Sequence, residues 1–317
     1  MTKLSIFLSI VAVSGFASHY KTSRPACCHP IAALTERQMQ FWEDVDEGLE
    51  LFAREGKNID RIRQWGRCAR GESAPPIGYT PGHEPSKEHV EGLTAQPFWN
   101  ISEMPDLFPW ADELEANAGV IQEEFDSKLR NPNLFASDSI WQNQVMGTGR
   151  SAIRLQRLGV WNTDTCSQFP KTYDLLRSIN IPLAVRGVCF ARQKPGSGVQ
   201  PHSDGRNFIL TSQLGLKVPD DCWIQVGEEK RGWEEGKLTT IDTSFTHSTG
   251  NPSDSERHIL IIDFWHPELT EDECSALNFC YDLRNQFETG QVPFRKPRSP
   301  HQGGLATWWQ SVISKDS

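Results

Sequence analysis

The amino-acid sequence predicts an α+β chain whose second half is mainly β, an antiparallel sandwich or barrel flanked by helices. After about residue 150, short apolar or alternating runs are separated by turn residues. Short strands punctuated in this way are typical of antiparallel sandwiches and barrels. The runs cover 185–191, 208–216, 223–226, 237–241 and 258–264. Before them, apolar residues recur at helical spacing, and a last helix is expected at 275–290.

Length and composition limit the number of domains and the classes of partner that the chain can bind. The 317 residues suffice for one large domain or two modest ones. Hydrophobic residues make up 37%, and 11 Trp and 16 Phe supply bulky core material. The formal net charge is −9, and the sequence has no long basic run. This argues against nucleic acid as a partner, because such binding depends on clustered Lys and Arg.

The first 35 residues are predicted to be targeting segments. Lys3 precedes an apolar run over 4–13, and Gly15-Phe16-Ala17 offers the small residues that signal peptidase recognises. Residues 1–17 are therefore predicted to be a signal peptide. Residues 18–35 contain basic residues and no acidic one, which is typical of a leader or transit-like segment.

The length of the apolar run distinguishes a membrane-spanning helix from a cleaved signal peptide. It is too short for a bilayer of roughly 30 Å, which takes about 20 residues to span. A buried first helix is the alternative, but no amphipathic pattern accompanies the run. We expect entry into the secretory pathway, to the endoplasmic reticulum lumen or outside the cell, and no stable membrane span in the mature chain. A bipartite leader into an organelle fits the same composition.

Residues 36–135 are predicted to form a helical N-terminal region with a Pro-rich linker. Thr35 is a candidate N-cap for an amphipathic helix that ends near Glu55. Residues 70–95 have the composition of a loop or linker, and a second helix is expected at 111–129. This half of the chain contains no pattern of catalytic residues.

The β-domain is predicted to cover 136–270, and a C-terminal helix and tail to cover 271–317. The tail contains Trp308-Trp309, which we expect to act as a docking anchor. The eight cysteines include no C-x-x-C spacing of a zinc or redox site. Some could pair in an oxidising compartment, but sequence does not give the connectivity.

Three His-x-Asp/Glu tripeptides are candidates for a metal site. Fe(II) oxygenases use two imidazoles and one carboxylate on one face of the metal, which leaves the other face open for cosubstrate and oxygen. In a β-protein, a His and a carboxylate two residues apart reach the metal from one strand end. His89-Val90-Glu91 lies in the linker, and His266-Pro267-Glu268 follows the last strong strand. His202-Ser203-Asp204 lies between two strands, as the chemistry requires, and is therefore selected.

Two later residues complete the pattern. His247 follows the strand run 237–241, so it can supply the second imidazole from a distant strand. Ten residues further on, Arg257 opens the apolar run 258–264, where its guanidinium would offer a bidentate fork to a carboxylate. We expect His202, Asp204 and His247 to bind one iron and Arg257 to bind an organic acid cosubstrate.

Each of these residues has a more ordinary interpretation when it is taken alone. A single His near a strand is usually a hydrogen-bonded structural residue, an Arg is usually at the surface or in a salt bridge, and Asp204-Gly205 would form a turn. Zinc accepts the same ligands, and a cupin-like zinc or manganese enzyme is the main competitor. Arg257 favours an oxygenase with an anionic cosubstrate.

A series of ordered motifs extends from about residue 90 to residue 270. They are GLTAQPFW (92–99), PKT (170–172), KPGSGVQPHSDGRN (194–207), LGLKVP (214–219) with Cys222, WEEGK (233–237), DTSFTH (242–247) and DFWHPELT (263–270). In this order they resemble the aspartyl/asparaginyl β-hydroxylase family of 2-oxoglutarate-dependent oxygenases.

The resemblance implies a double-stranded β-helix, the cupin-like jelly roll, with Fe(II) and 2-oxoglutarate. His202 and His247 match the family's iron-binding histidines, and Arg257 matches the arginine that holds the distal carboxylate of the cosubstrate. The implied reaction is hydroxylation of an unactivated C–H bond by molecular oxygen. The candidate substrate is the β-carbon of Asp or Asn in a protein or peptide, with a small molecule as the alternative.

The chain departs from the family at several positions. Asp204 stands where the animal hydroxylase has Gly and other relatives have Asp, so it either completes the metal triad or contacts a ligand. Thr211 and Gln213 stand where the family commonly has Arg and His that hold cosubstrate or substrate, and Ala191 where the animal enzyme has a cosubstrate-binding Ser. Thr211 and Gln213 remain candidate cosubstrate residues. A cupin-like enzyme of another class and an inactive binding relative are the alternative functions.

Overall fold

Helices and strands are described over residues 35–73, 83, 88–131, 133–135 and 149–288 of the computed structural model. The helices are α1 (Glu36–Arg54), α2 (Asp60–Ala69), α3 (Ala111–Ala116), α4 (Ala118–Leu129), α5 (Thr163–Cys166), α6 (Pro170–Ser178) and α7 (Glu271–Glu288). The strands are β1 (Phe98–Trp99), β2 (Arg150–Arg157), β3 (Val160–Trp161), β4 (Leu183–Gln193), β5 (Ser197–His202), β6 (Ile209–Lys217), β7 (Trp223–Val226), β8 (Glu229–Arg231), β9 (Leu238–Asp242), β10 (His247–Asn251) and β11 (Arg257–Trp265). The predicted signal peptide, the leader as far as residue 34 and Trp308-Trp309 lie outside the described residues.

The strands form two antiparallel sheets. The larger sheet has the order β1-β9-β6-β11-β4-β2-β3, and the smaller one has the order β5-β10-β7-β8. Neighbours in both sheets run antiparallel wherever their register is described. Two facing antiparallel sheets flanked by helices are the architecture of a jelly roll. The predicted α+β class with a β-sandwich core is confirmed.

Alternation of side chains along the large sheet separates two hydrophobic cores. Ala191 and Ile261 belong to a cluster that also contains Ile224 of the small sheet, so this core lies between the sheets. Phe190 and Leu260 point the other way and pack with residues of the helices on the outer face of the large sheet. The five apolar runs expected from the sequence correspond to β4, β6, β7, β9 and β11.

Three helices pack together in a further cluster. Helix α1 begins after Thr35, whose hydroxyl accepts a hydrogen bond from the backbone N–H of Gln38. Its apolar face packs with α2 and α7 in a cluster that includes Phe208, just before β6, and Trp265 at the end of β11. The helix expected over 111–129 is two helices, α3 and α4, which meet at Asn117.

Within the ranges given above, no helix combines the length and the apolar character that crossing a bilayer requires.

Candidate active site

The two predicted histidines face each other across one strand pair. His202 ends β5 and His247 begins β10, and the two are direct partners in the antiparallel register. Their ring centroids are 4.2 Å apart. Nδ1 of His202 lies 2.8 Å from the carbonyl oxygen of Gln200, and Nδ1 of His247 lies 2.9 Å from that of Phe245. Because a carbonyl only accepts, each ring donates through Nδ1–H and keeps the lone pair on Nε2 for a metal.

Asp204 reaches the same space from the turn that follows β5. Its backbone N–H donates to the carbonyl of Thr243, 2.9 Å away, and Gly205 follows with a φ of 69°. One carboxylate oxygen accepts a hydrogen bond from Arg186, and the other lies 3.9 Å from Nε2 of His202.

Two imidazole nitrogens and one carboxylate oxygen therefore converge. Ligand atoms of His202, Asp204 and His247 all lie within 4.8 Å of one another, and they form the metal-compatible His/Cys/Asp/Glu group found in the described part of the chain. Two histidines and one carboxylate suit Fe(II), and also zinc. The donor set fits a single divalent ion.

The electrostatic surroundings favour the protonation states that bind a metal. Burial lowers the pKa of His247 to about 4, although the charge of Asp204 opposes this shift. Burial disfavours the ionised form of Asp204, but the charge and hydrogen bond of Arg186, with contributions from His247 and His202, together outweigh it and hold the pKa of this carboxyl well below its usual range. At neutral pH the site therefore presents a neutral His247 and an anionic Asp204.

Arg257 is a buried cation on the wall of the same cavity. It is the first residue of β11 and only 1% exposed. Its guanidinium lies over the ring of Trp233, 4.4 Å from the centroid, and its Nε and Nη1 have no hydrogen-bond partner in the described chain. Burial lowers the pKa of Arg257 to about 9, with Arg150 adding to the effect, and the group stays protonated at neutral pH. A buried, unneutralised guanidinium favours an anionic ligand.

One cavity of about 240 Å³ connects these parts. It lies between the sheets and is lined by His202, Asp204, His247 and Arg257 together with Thr211 and Gln213. The structure thus brings together all six residues that the sequence singled out.

The side chains of Thr211 and Gln213 differ in which of their polar groups are already hydrogen-bonded within the protein. The Thr211 hydroxyl donates to Asp263 at 2.5 Å and accepts from Arg186 at 3.1 Å, so both of its polar functions are engaged. Oε1 of Gln213 accepts from the indole N–H of Trp233 at 2.9 Å, and Trp233 supports Arg257. Direct contact of either residue with a cosubstrate stays a prediction.

Arg186 of β4 is the main feature that sequence reasoning missed. Its guanidinium contacts Asp204, lies 3.1 Å from Asp263, and donates to the hydroxyls of Thr211 and Thr243 at 3.1 and 3.2 Å. A usable signal was present, because Arg186 and Asp263 are charged residues inside otherwise apolar predicted strands. Arg150, at the start of β2, also lines the cavity.

The alternative tripeptide around His266 has a structural role. Nε2 of His266 lies 3.1 Å from the carbonyl oxygen of Thr94, and Glu268 accepts hydrogen bonds from the hydroxyl and N–H of Thr94 at 2.6 and 2.7 Å. These contacts hold the segment before β1 against the end of β11. The rejection of this tripeptide as the metal site is consistent with them.

The β-sandwich thus places a His–Asp–His group, which could hold one metal ion, and a buried arginine in one cavity. Residues 115–267 match the family model described as aspartyl/asparaginyl beta-hydroxylase. This region is therefore similar to the aspartyl/asparaginyl β-hydroxylase family, and the resemblance expected from the motifs is confirmed.

Named relatives agree with the family match. The human aspartyl/asparaginyl beta-hydroxylase is 31% identical over 210 residues, which cover 63% of this chain and 27% of the relative. The mouse protein of that name is 30% identical over 223 residues, covering 63% of this chain and 28% of the relative. The human aspartate beta-hydroxylase domain-containing protein 2 is 30% identical over 178 residues, covering 53% of this chain and 47% of the relative. The chain thus spans about a quarter to a half of the length of these proteins.

Solved structures add little to this comparison. The viral collagen prolyl hydroxylase of Paramecium Bursaria Chlorella virus-1, in its 2OG complex, covers 45% of this chain and 89% of its own, at 15% identity. Its TM-score is 0.29, which is too low to support an argument about function.

Proposed function

We propose that this chain is an Fe(II)- and 2-oxoglutarate-dependent dioxygenase that hydroxylates an unactivated C–H bond. The observation that carries the proposal is the pairing, in one cavity, of a His–Asp–His group with the unneutralised guanidinium of Arg257. The names of the relatives make an Asp or Asn residue of a protein or peptide the first candidate substrate, hydroxylated at its β-carbon.

The metal would be held from one side by three side chains. His202 and His247 would bind through Nε2, because their Nδ1–H groups are fixed on backbone carbonyls. Asp204 would bind through the oxygen that Arg186 does not engage. Bound Fe(II) with 2-oxoglutarate supplies the oxidising chemistry that places one atom of O₂ on the substrate while the cosubstrate is converted to succinate and CO₂.

Arg257 would hold the distal carboxylate of 2-oxoglutarate. The planar guanidinium matches a carboxylate bidentately, and burial strengthens the pair because water competes poorly there. Trp233, held in place by Gln213, supports the guanidinium on its other face. These residues bind and orient the cosubstrate and keep water away from it, and they take no part in proton transfer.

Anaerobic titration with Fe(II) and 2-oxoglutarate tests the proposal. We expect a visible charge-transfer band that needs both components and is lost in His247→Ala. With oxygen, the loaded protein should form succinate. A zinc or manganese enzyme of another class would show no such band, and an inactive binding relative would show the band without succinate.

Arg257→Lys gives a sharper test of the cosubstrate site. A compact ammonium replaces the fork and loses one of the two parallel hydrogen bonds, so the 2-oxoglutarate concentration for half-maximal band intensity should rise about tenfold to a hundredfold. Arg177→Gln is the matched control, since Arg177 is exposed on α6 and lines none of the described cavities. An unchanged requirement in Arg257→Lys would contradict the assignment.

We also propose, from the N-terminal sequence, that the protein works in the secretory pathway or in an organelle reached through it. Fusing residues 1–35 to a fluorescent reporter should direct the reporter into that pathway, and deleting residues 1–17 should leave it in the cytosol. A reporter that stays cytosolic with the intact segment would refute this localisation.

A further inference from the structure

A second polar cavity lies beside the proposed iron cavity. Its volume is about 150 Å³, and four arginines line it, namely Arg157, Arg186, Arg206 and Arg284, together with Tyr281. The protein as a whole carries a net charge of −9, so this concentration of guanidinium groups is local. We call this space the arginine cavity.

Two side chains connect the arginine cavity to the metal ligands. Arg186 and Arg206 line both cavities. Arg186 contacts Asp204 directly, and Arg206 lies two residues after Asp204 in the chain. A group bound in the arginine cavity would therefore lie within about one side chain's length of the metal site.

The charges around the two cavities favour a ligand of negative charge. Leaving Arg150 aside, the two cavities are lined by five arginines, at positions 157, 186, 206, 257 and 284. The described carboxylates in contact with them are Glu88, Asp204 and Asp263. Five positive and three negative charges leave an excess of two. Fe(II) and the 2-oxoglutarate dianion cancel each other, so the excess remains after both have bound and favours a further anion.

We propose that the arginine cavity binds an oxyanion of the substrate, a carboxylate or a phosphate, carried next to the residue that is oxidised. This inference rests on the proposed function, because it assigns the substrate class of that same site. Guanidinium groups match both oxyanions through parallel N–H donors. The preferred substrate is then a peptide with an acidic or phosphorylated neighbour beside the hydroxylated residue.

A purely structural role explains only part of the cluster. Glu88 accepts hydrogen bonds from Arg206, Arg284 and Tyr281 at 3.0, 2.9 and 2.9 Å, and these contacts hold the segment around residue 88 on α7. Arg157 does not join them. Its side chain is exposed at the end of β2 and makes no ion pair or hydrogen bond in the described chain, so its placement on this cavity is unexplained by packing.

The first experiment measures anion binding without any turnover. The protein is saturated with Zn(II) and 2-oxoglutarate, which fill the iron cavity and do not react, and inorganic phosphate is added at constant ionic strength. At a phosphate concentration about tenfold above its dissociation constant, the melting temperature should rise by about 2 °C. The rise should fall by at least half in Arg157→Gln and should persist in Arg177→Gln, the exposed control on α6. An equal rise in Arg157→Gln, or no rise in the wild type, would overturn the proposal.

The second experiment identifies the source of the oxyanion. Three labelled peptides carry a central Asp flanked on both sides by Glu, phosphoserine or Gln, and their affinity for the Zn(II)- and 2-oxoglutarate-loaded protein is measured by fluorescence anisotropy. The Glu or the phosphoserine peptide should bind about tenfold or more tightly than the Gln peptide, and Arg157→Gln should reduce that ratio severalfold. Equal affinities would overturn the proposal. Neither experiment needs iron chemistry, so a missing charge-transfer band would refute the oxygenase assignment separately.

Discussion

At the scale of single residues, the contact between Arg186 and Asp204 decides how the carboxylate is presented. Arg186 engages one oxygen of Asp204, and Asp263 with Thr211 and Thr243 fixes the other edge of the guanidinium. The free oxygen of Asp204 then faces Nε2 of His202. Groups that orient metal ligands commonly affect metal affinity almost as much as the ligands do.

Replacing Arg186 with Gln should therefore weaken Zn(II) or Co(II) binding about tenfold to a hundredfold. Titration calorimetry on Arg186→Gln, Asp204→Ala and the double variant separates direct from indirect effects. Because Arg186 acts through Asp204, adding Arg186→Gln to Asp204→Ala should change the affinity less than about twofold. Additive losses in the double variant would give Arg186 a role of its own, and unchanged metal binding in Asp204→Ala would show that Asp204 is not a ligand.

Asp242, at the end of β9, gives a pH-dependent prediction at the same scale. It is fully buried, and one of its oxygens accepts from the N–H and the hydroxyl of Ser244 at 2.9 and 2.5 Å. Burial raises the pKa of Asp242 to about 7, despite the opposing hydrogen bonds of Ser244. Between the unfolded pKa of 3.8 and about 7, the folded state holds a proton that the unfolded state has lost. Stability therefore falls as pH rises through this window and levels off above it.

Asp242→Asn removes this titration. The melting temperature of the metal-free variant, relative to the wild type, should rise from pH 4 to pH 7 by about 3 °C per pH unit or less, and stay constant above pH 7. His247 titrates in both proteins, so its contribution cancels in the difference. A difference that does not change with pH would mean that Asp242 is ionised at low pH in the folded protein.

At the scale of elements, a bulge in β4 explains why Arg186 enters the site. Val188 and Phe190 of β4 pack against the helices, while Cys189 and Ala191 face the space between the sheets. Regular alternation would place residue 186 on the helix side. The register shifts on both sides of β4 near this point, and Gly187 has a φ of 73°. Bulges of this kind redirect a side chain beside a functional site.

Gly187→Ala should disrupt that bulge. A Cβ at this position would lie 2.2 Å from the backbone oxygen of Gln156, and the left-handed φ adds strain. We expect a loss of roughly 2–4 kcal/mol in the free energy of unfolding and a weaker Zn(II) affinity, because Arg186 is displaced. Gly159→Ala is the matched control, with a φ of 77° and no atom within 4 Å. It should cost only about 1 kcal/mol and leave Zn(II) binding unchanged. Equal effects of the two substitutions would mean that the close contact at Gly187 is unimportant.

At the scale of the whole molecule, hydrophobic patterning predicted five apolar strands, helices α1 and α7, and α3 with α4 as one helix, but it predicted neither α2, α5 and α6 nor the polar strands that line the site. Strand β10 reads His-Ser-Thr-Gly-Asn, yet all five residues are buried because it lies between β5 and β7. The motif around His247 identified this segment where hydropathy did not. Hydrophobic patterning did not predict the role of Trp233 either, because its contact with Arg257 joins a loop to a distant strand. The candidate ligands can be predicted from the sequence, whereas the contacts that support them arise only in the tertiary structure.

Metal and then 2-oxoglutarate should each raise the melting temperature of the whole β-sandwich. The three proposed metal ligands come from the turn and strand ends of the small sheet, and Arg257 comes from the large sheet. Zn(II) at a hundredfold excess over its dissociation constant should contribute about 2.7 kcal/mol to stability, which raises the melting temperature by about 4–5 °C. 2-Oxoglutarate should add a second rise only when metal is present, since it would bind both the metal and Arg257. In Arg257→Gln the first rise should persist and the second should be lost. If 2-oxoglutarate raises the melting temperature of metal-free Arg257→Gln, the cosubstrate binds elsewhere. The two sheets would then not be joined through it.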